Sequence, residues 1–376
     1  MSIRILCTGD FQLGKSFSTI GQSAKIFREQ LMKTFTDTIG THGPGHDLIL
    51  IAGDLFDRAA TPTSIIEQVA DILAKSQTPC VILPGNHDAV NTGIPNVLAE
   101  ALAQRGATHV LVPIERAPIA FEELGITLYP APLFRRDDLS DQYGWIPKRE
   151  KTDGTRIALM HGALSSIPNG QIPDDLAKQM DLDVVICGDQ HGPKGTVEAS
   201  NLFNLDTSKE RLLYYAMAPE PMHINQNFVG SYLSLTMDSN GKIIEHERFD
   251  VGKLRFFNEV FDFESQSDEP FDDFLAFIED YIEETTSVRI TLRGAVPINK
   301  YRSTLEQIRN LSGQLALIDV INELTIFESE EEVHEPTEPN AIVRSITSAL
   351  DSEQNVDPAL KNRVLELLQV NLGRWA

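Results

Sequence analysis

The chain has 376 residues, 41% hydrophobic and 23% charged, the composition of a soluble globular protein with a sizeable core and more than one domain. A formal net charge of -23 excludes a chain that wraps nucleic acid by bulk electrostatics, since phosphate contacts need clustered Lys and Arg. No apolar run approaches the roughly 20 residues of a membrane span, and the N-terminus enters a strand without an export signal, so a cytoplasmic protein is expected.

In chain order, Ile3 to Thr8 reads as a strand ending at Gly9-Asp10, and Ala24 to Ile39 has helical spacing, with Ile26, Phe27, Leu31, Phe35 and Ile39 on one side. The stretch Ile49 to Arg58 organises the rest. It opens on an apolar, β-branched run of the kind buried on both faces and breaks off at Gly53-Asp54, with Asp57 and Arg58 just beyond. Thr63 or Ser64 caps a helix to about Ala74, and Cys80 to Leu83 is a third strand, ending in Pro84-Gly85-Asn86-His87-Asp88. Strand, helix, strand, helix, strand is the rhythm of a layered α/β domain. Its polar residues fall after each strand, where open α/β sheets bind ligands. Cys7, Cys80 and Cys187 sit within apolar strands, without metal or redox spacing, and read as buried small hydrophobes.

From about His109 to Pro130 the pattern shortens to β-like pieces. A loop follows in which Arg135, Arg136, Lys148, Arg149 and Lys151 form the most basic local patch, read as solvated rather than as a DNA contact. Arg156 to Met160 is a strand ending at His161-Gly162, and Val184 to Cys187 is one ending at Gly188-Asp189-Gln190-His191. Further strands are expected at Thr196 to Phe203, Leu212 to Ala216, Phe228 to Met237 and Lys242 to Phe249, with Asn240-Gly241 as a hairpin turn. Residues 253–327 read as a small α+β module, with strands at Leu254 to Phe263 and Val288 to Leu292, a helix at Tyr301 to Leu311 and an extended Leu315 to Phe327. An amphipathic helix carries Phe271, Phe274, Leu275, Ile278 and Ile282. Glu328 to Asn340 has the charge and proline content of a solvated linker. Two helices, Ala341 to Leu350 and Pro358 to Leu372, close the chain. The second carries an apolar stripe that either packs on its own protein or, the reading favoured here, docks on another chain.

The strand ends supply Asp10, Gln12, Asp54, Asn86, His161, Asp189 and His191 as candidate metal ligands, with His87 and Asp57 alongside. A pair of divalent ions roughly 3.5–4 Å apart needs a bridging carboxylate, for which Asp54 is placed, and oxygen or imidazole ligands on either side. Such a pair activates a water for in-line attack at phosphorus. His87 would then stabilise or protonate the leaving oxygen, with Asp57 orienting its ring. Arg58 either touches the substrate phosphate or pairs with a carboxylate. His42, His46, His109, His223, His246 and His334 read as surface or structural residues.

The motifs G-D at Gly9-Asp10, G-D-x-x-D-R at Gly53 to Arg58, G-N-H-D at Gly85 to Asp88, H-G at His161-Gly162 and G-x-x-H at Gly188 to His191 resemble, in order over about the first 190 residues, those of calcineurin-like metallophosphoesterases. Leu13-Gly14, the β-rich second half, the later module and the terminal helices are similar to SbcD-type DNA-repair exonucleases. The resemblance implies two β-sheets flanked by helices in a nuclease domain over 1–252, a capping domain over 253–327, an acidic linker over 328–340 and a partner-binding helical segment over 341–376. It also implies DNA as substrate, an SbcC-like coiled-coil ATPase as partner and a homodimer. One ion would be held by Asp10, Gln12, Asp54 and His191, the other by Asp54, Asn86, His161 and Asp189. Two imidazoles usual in the family are replaced here, by Gln12 and Asp189, which either turns the site toward the hard ions Mn²⁺ or Mg²⁺ or leaves one metal less tightly bound. The rival readings are an enzyme for small phosphoesters and a degenerate site that serves as a scaffold for DNA ends or the ATPase.

Overall fold

The computed structural model describes residues 2–138, 140–192, 213–263, 270–311 and 314–327. The expected linker, the two terminal helices and the strand at Thr196 to Phe203 lie outside them. The chain divides into two compact units, one drawn from residues 1–294 and 303–324, the other containing residues 295–302 and 325–327.

The first unit is a layered α/β structure. Strands β1 (Ile3–Thr8), β2 (Leu48–Ile51), β3 (Cys80–Ile82) and β4 (Val110–Leu111) run parallel. A second sheet contains β5 (Ile119–Phe121), β6 (Ile126–Pro130), β7 (Thr155–His161), β8 (Val184–Gly188) and β9 (Leu213–Tyr215) in chain order. Strands β10 (Ser231–Met237) and β11 (Ile243–Asp250) then return to the first sheet, which has the order β11-β10-β1-β2-β3-β4. The hairpin between them turns at Asn240-Gly241, where Gly241 has φ 81° and the Asp238 carboxylate accepts from the amides of Asn240 and Lys242.

Alternation along the strands explains why apolar runs are needed. In β1 and β2, Ile5, Cys7, Leu48 and Leu50 face the core shared with the second sheet, whereas Leu6, Ile49 and Ile51 face the helices. Those helices are α1 (Ala24–Asp37), α2 (Thr63–Ser76) and α3 (Ile94–Gln104), which contribute Phe27, Leu31, Phe35, Val69, Leu73 and Leu98. With both faces covered, all four residues of β2 are buried. The three cysteines are buried and free, as expected. The sequence pattern gives no expectation for α3, although Pro95 in its first turn and apolar Leu98, Ala101 and Leu102 carry the signal.

After Lys253 the same unit adds β12 (Arg255–Asp262) and β13 (Thr286–Arg293), joined through a helix at Pro270–Glu279. In the second unit β14 (Ala295–Pro297) pairs in parallel with the later β16 (Thr325–Phe327). A helix at Ile298–Leu311 precedes β15 (Leu317–Asn322), which completes the parallel sheet β12-β13-β15. Phe256 of β12 packs edge-on against Phe27 of α1, with ring centroids 5.6 Å apart. Beside this contact the buried Glu220 carboxylate accepts from the Thr34 hydroxyl at 2.6 Å and from the amides of Lys253 and Leu254 at 2.9 and 2.8 Å.

Burial pushes the Glu220 carboxyl up to about 7 despite those hydrogen bonds. An acid whose folded pKa lies above its unfolded value holds its proton more firmly in the folded state. Stability should therefore fall as pH rises through this window, by about 3 kcal/mol for this group. Urea unfolding midpoints between pH 5 and 8 should show that decline in the wild type and lose most of it in Glu220→Gln. An unchanged slope in the variant would locate the effect elsewhere.

Candidate metal centre

Five strand ends converge. β1 leads to Asp10, β2 to Asp54 and β3 to Asn86 and His87, while β7 ends on His161 and β8 leads to Asp189 and His191. Three of these turns use left-handed backbone at four non-glycine residues: φ is 53° at Asp10, 46° at Gln12, 51° at Asp54 and 87° at Asp189. Such conformations cost about 1–3 kcal/mol each and cluster at functional sites. Hydrogen bonds hold them here, from the Asp10 amide to the Gly53 carbonyl at 3.0 Å and from the Gln12 amide to the Asp54 carbonyl at 2.9 Å. Glycine is required at 53, which has φ 94° and where a Cβ would collide with the His161 ring; at 85 a Cβ would collide with the Asp54 carboxylate.

Asp10, Asp54 and His161 are buried and offer ligand atoms within 4.8 Å of one another. His161 donates through Nδ1 to the Ala52 carbonyl at 2.8 Å, which directs Nε2 inward, 3.5 Å from Asp54 Oδ1. Burial works against a proton on His161, but the carboxylates of Asp54, Asp10 and Asp189 outweigh it and hold its pKa well above the ordinary value. Burial likewise opposes the charge on Asp54, yet the charge and hydrogen bond of His161 keep that carboxyl below the usual range. Burial raises Asp10 well above it, with Asp54 and Asp189 adding to the rise. The Asp189 amide donates to both Asp10 oxygens, at 3.2 and 3.1 Å, while the Asp189 carboxylate accepts from Gln190 at 2.9 Å.

Asn86 tests whether a cation fits. Turned one way, its amide nitrogen donates to Asp54 Oδ2 at 2.9 Å, Asp54 Oδ1 at 3.1 Å and His161 Nε2 at 3.0 Å. Turned the other way, the amide oxygen faces His161 Nε2 at 3.0 Å and the Asp54 carboxylate, an arrangement that a cation, or a proton on Nε2, completes. Asp54, Asn86 and His161 therefore fit a divalent ion, with Asp10 adjoining.

The half formed by Gln12 and His191 is different. Gln12 Nε2 lies 3.3 Å from His191 Nε2, and Lys15 Nζ donates to Gln12 Oε1 at 3.1 Å. Burial pushes the His191 imidazole down to about 4, so its neutral Nε2 accepts from the Gln12 amide. His191 Nε2 is also 3.7 Å from Asp10 Oδ1, and its Nδ1 is buried without a hydrogen-bond partner among the described residues.

His87 is half-buried, with Nε2 3.9 Å from Asp54 Oδ2. Its amide donates to Asp54 Oδ1 at 2.9 Å and its Nδ1 to the main-chain carbonyl of Asp57. Asp57 thus orients the ring, as expected from the sequence, and does so through its backbone, while its carboxylate pairs with Lys15 at 3.0 Å. Arg58 is exposed, and its carbonyl accepts from the amide and hydroxyl of Thr61.

His87 opens onto a cleft of about 510 Å³ that is also lined by Lys15, His223, Asn225, Gln226 and Phe228. None of the last four stands in a recognisable motif, and His223 reads from sequence as surface or structural. Asp88 is a further residue to which the sequence pattern assigns no role, although it closes the G-N-H-D motif. Its buried carboxylate accepts from the Gly85 amide at 2.8 Å and the Phe56 amide at 3.0 Å, fixing the loop that carries Asn86 and His87. Burial, with Asp54 adding, pushes its pKa up to about 6. In the basic patch Arg135, Arg136 and Lys148 are exposed, and Arg149 pairs with Asp183.

A family model described as calcineurin-like phosphoesterase matches residues 3–193. Among curated proteins nothing matches this sequence. Among solved structures, TT1561 of Thermus thermophilus is 14% identical, with a TM-score of 0.39, over 67% of this chain and 100% of its own. A structure described as a novel archaeal phosphodiesterase is 11% identical, with a TM-score of 0.30, over 66% of this chain and 99% of its own.

Proposed function

The chain belongs to the calcineurin-like phosphoesterase family, and from that premise we propose that it is a metal-dependent phosphodiesterase acting on DNA, an SbcD-type nuclease subunit that works with a coiled-coil ATPase. The observation that carries the hydrolytic part is the placement of His87 on the open cleft, directly beside the buried Asp10, Asp54 and His161 cluster.

Asp54, Asn86 and His161, with Asp10 adjoining, would hold a divalent ion, Mn²⁺ or Mg²⁺ by the weight of oxygen donors. When bound, such an ion supplies Lewis acidity toward a phosphoryl oxygen and lowers the pKa of water. The protein's own residues do the rest. The Ala52 carbonyl fixes the His161 tautomer so that Nε2 faces inward. The Asp57 carbonyl accepts a hydrogen bond from His87 Nδ1, which leaves Nε2 as the atom that would deliver a proton to the departing oxygen. Lys15 places a positive charge in the cleft of an otherwise acidic chain, where a phosphate would enter.

DNA as substrate draws on the Leu13-Gly14 signature, the module that begins near residue 253 and the cleft itself. About 510 Å³ admits a nucleotide, and Phe228 with the amides of Asn225 and Gln226 suits an unstacked base. Homodimerisation and docking of the ATPase on residues 341–376 belong to the same proposal. A second reading, a scaffold with a weakened centre, is favoured by the engaged Gln12 and His191 pair.

The test incubates the full chain and Mn²⁺ with linear duplex DNA and, separately, with p-nitrophenyl phosphate. The proposal expects DNA degradation that chelation stops. Hydrolysis of the small ester alone would move the substrate to small phosphoesters, and no hydrolysis despite bound metal would favour the scaffold.

A further inference from the structure

We propose that the ammonium of Lys15 fills the Gln12 and His191 half of the centre, so that this protein binds a single divalent ion, at Asp54, Asn86 and His161. The inference rests on the metal-dependent reading above and departs from the pair of ions that the sequence motifs imply.

The inward-facing lone pairs of that half are already engaged. Gln12 Oε1 accepts from Lys15 Nζ at 3.1 Å, and Gln12 Nε2 faces His191 Nε2 at 3.3 Å. The orientation of the amide is determined by its neighbours. Reversed, it would set an oxygen against the imidazole lone pair and an NH₂ group against an ammonium. An ion coordinated by Gln12 Oε1 would sit against the Lys15 charge, and one coordinated by His191 Nε2 would have to displace the Gln12 donor.

Lys15 is not a passing surface chain. Its amide donates to the Gln12 carbonyl at 3.1 Å in a tight turn, and its Nζ pairs with Asp57 Oδ1 at 3.0 Å. The Asp57 amide in turn donates to the Leu13 carbonyl at 3.0 Å, so the two segments brace each other around the ammonium. The other half has the opposite character, since the Asn86 amide oxygen, the Asp54 carboxylate and, once an ion displaces its proton, His161 Nε2 converge as acceptors with no side-chain ammonium among them. One half thus carries its own cation in covalent form, while the other asks for one. The same ammonium lines the cleft, where it would meet a non-bridging phosphate oxygen as the absent ion would have done.

The experiment counts metal. Full chain is titrated with Mn²⁺, bound ion is measured by plasma mass spectrometry, and the loaded sample is studied by electron paramagnetic resonance. The expected result is one Mn²⁺ per chain at saturation with an uncoupled six-line spectrum. The double variant Lys15→Met with Gln12→His, checked for folding by circular dichroism, should take two ions and show exchange coupling. Two ions in the wild type would overturn the inference and leave the phosphoesterase reading intact. No ion in the wild type would overturn both. A double variant that folds and still takes one ion would show that the ammonium is not what closes the second half.

Discussion

Asp54→Asn is expected to lower kcat/KM for phosphodiester cleavage by at least about a thousand-fold and to release bound metal, the loss of several kcal/mol of charge stabilisation. The size of the effect follows from what Asp54 touches. The residue is 2% exposed, and its carboxylate lies 3.5 Å from His161 Nε2 and receives the His87 amide at 2.9 Å. The flanking His161 keeps it ionised despite burial, so it is the fixed negative charge of the pocket. Asparagine keeps the volume but removes that charge and exchanges an acceptor for a donor. Metal content and steady-state rates, with circular dichroism to confirm folding, give the answer. A variant that retained its ion and its rate would remove Asp54 from the centre.

His87→Ala should have the next largest effect, and a different signature. Proton delivery by a positioned side chain contributes about 10²–10⁴-fold, so on the proposed DNA substrate kcat should fall by that order while metal content stays at the wild-type value. The two effects separate because His87 reaches the pocket through its amide, which alanine retains, and presents its ring to the cleft. The loss should be much smaller on bis-p-nitrophenyl phosphate, whose leaving group departs without a proton. Equal losses on the two substrates would assign His87 to binding or structure instead of proton transfer.

Much of this arrangement is legible in the sequence, and for a definite reason. A strand buried on both faces must be continuously apolar, so Leu48–Ile51 and Val184–Gly188 announce themselves, and the polar residues that follow them stand out. Asp10, Asp54, Asn86 and His161 come together as the strand ends suggest. Direction within a loop is what the residue order does not encode. Asp57 sits in the right motif, but whether its carbonyl or its carboxylate meets His87 depends on Lys15, a residue 42 positions away whose charge claims the carboxylate. The cleft wall at His223 to Phe228 is equally hidden, because no periodic pattern governs irregular segments that close over a site. The return of β10 to lie antiparallel beside β1 is a long-range pairing, with Ile3 opposite Met237, that local propensity does not specify.

The candidate ligands are divided between two separate sheets: Asp10, Asp54 and Asn86 follow strands of one, and His161 belongs to the other, its Nδ1 reaching across to the Ala52 carbonyl. Neither leaf owns the pocket. A cation seated there would act as a clasp between them, gripping only when the sandwich is shut, and whatever energy it contributes would be felt as resistance to the leaves sliding apart.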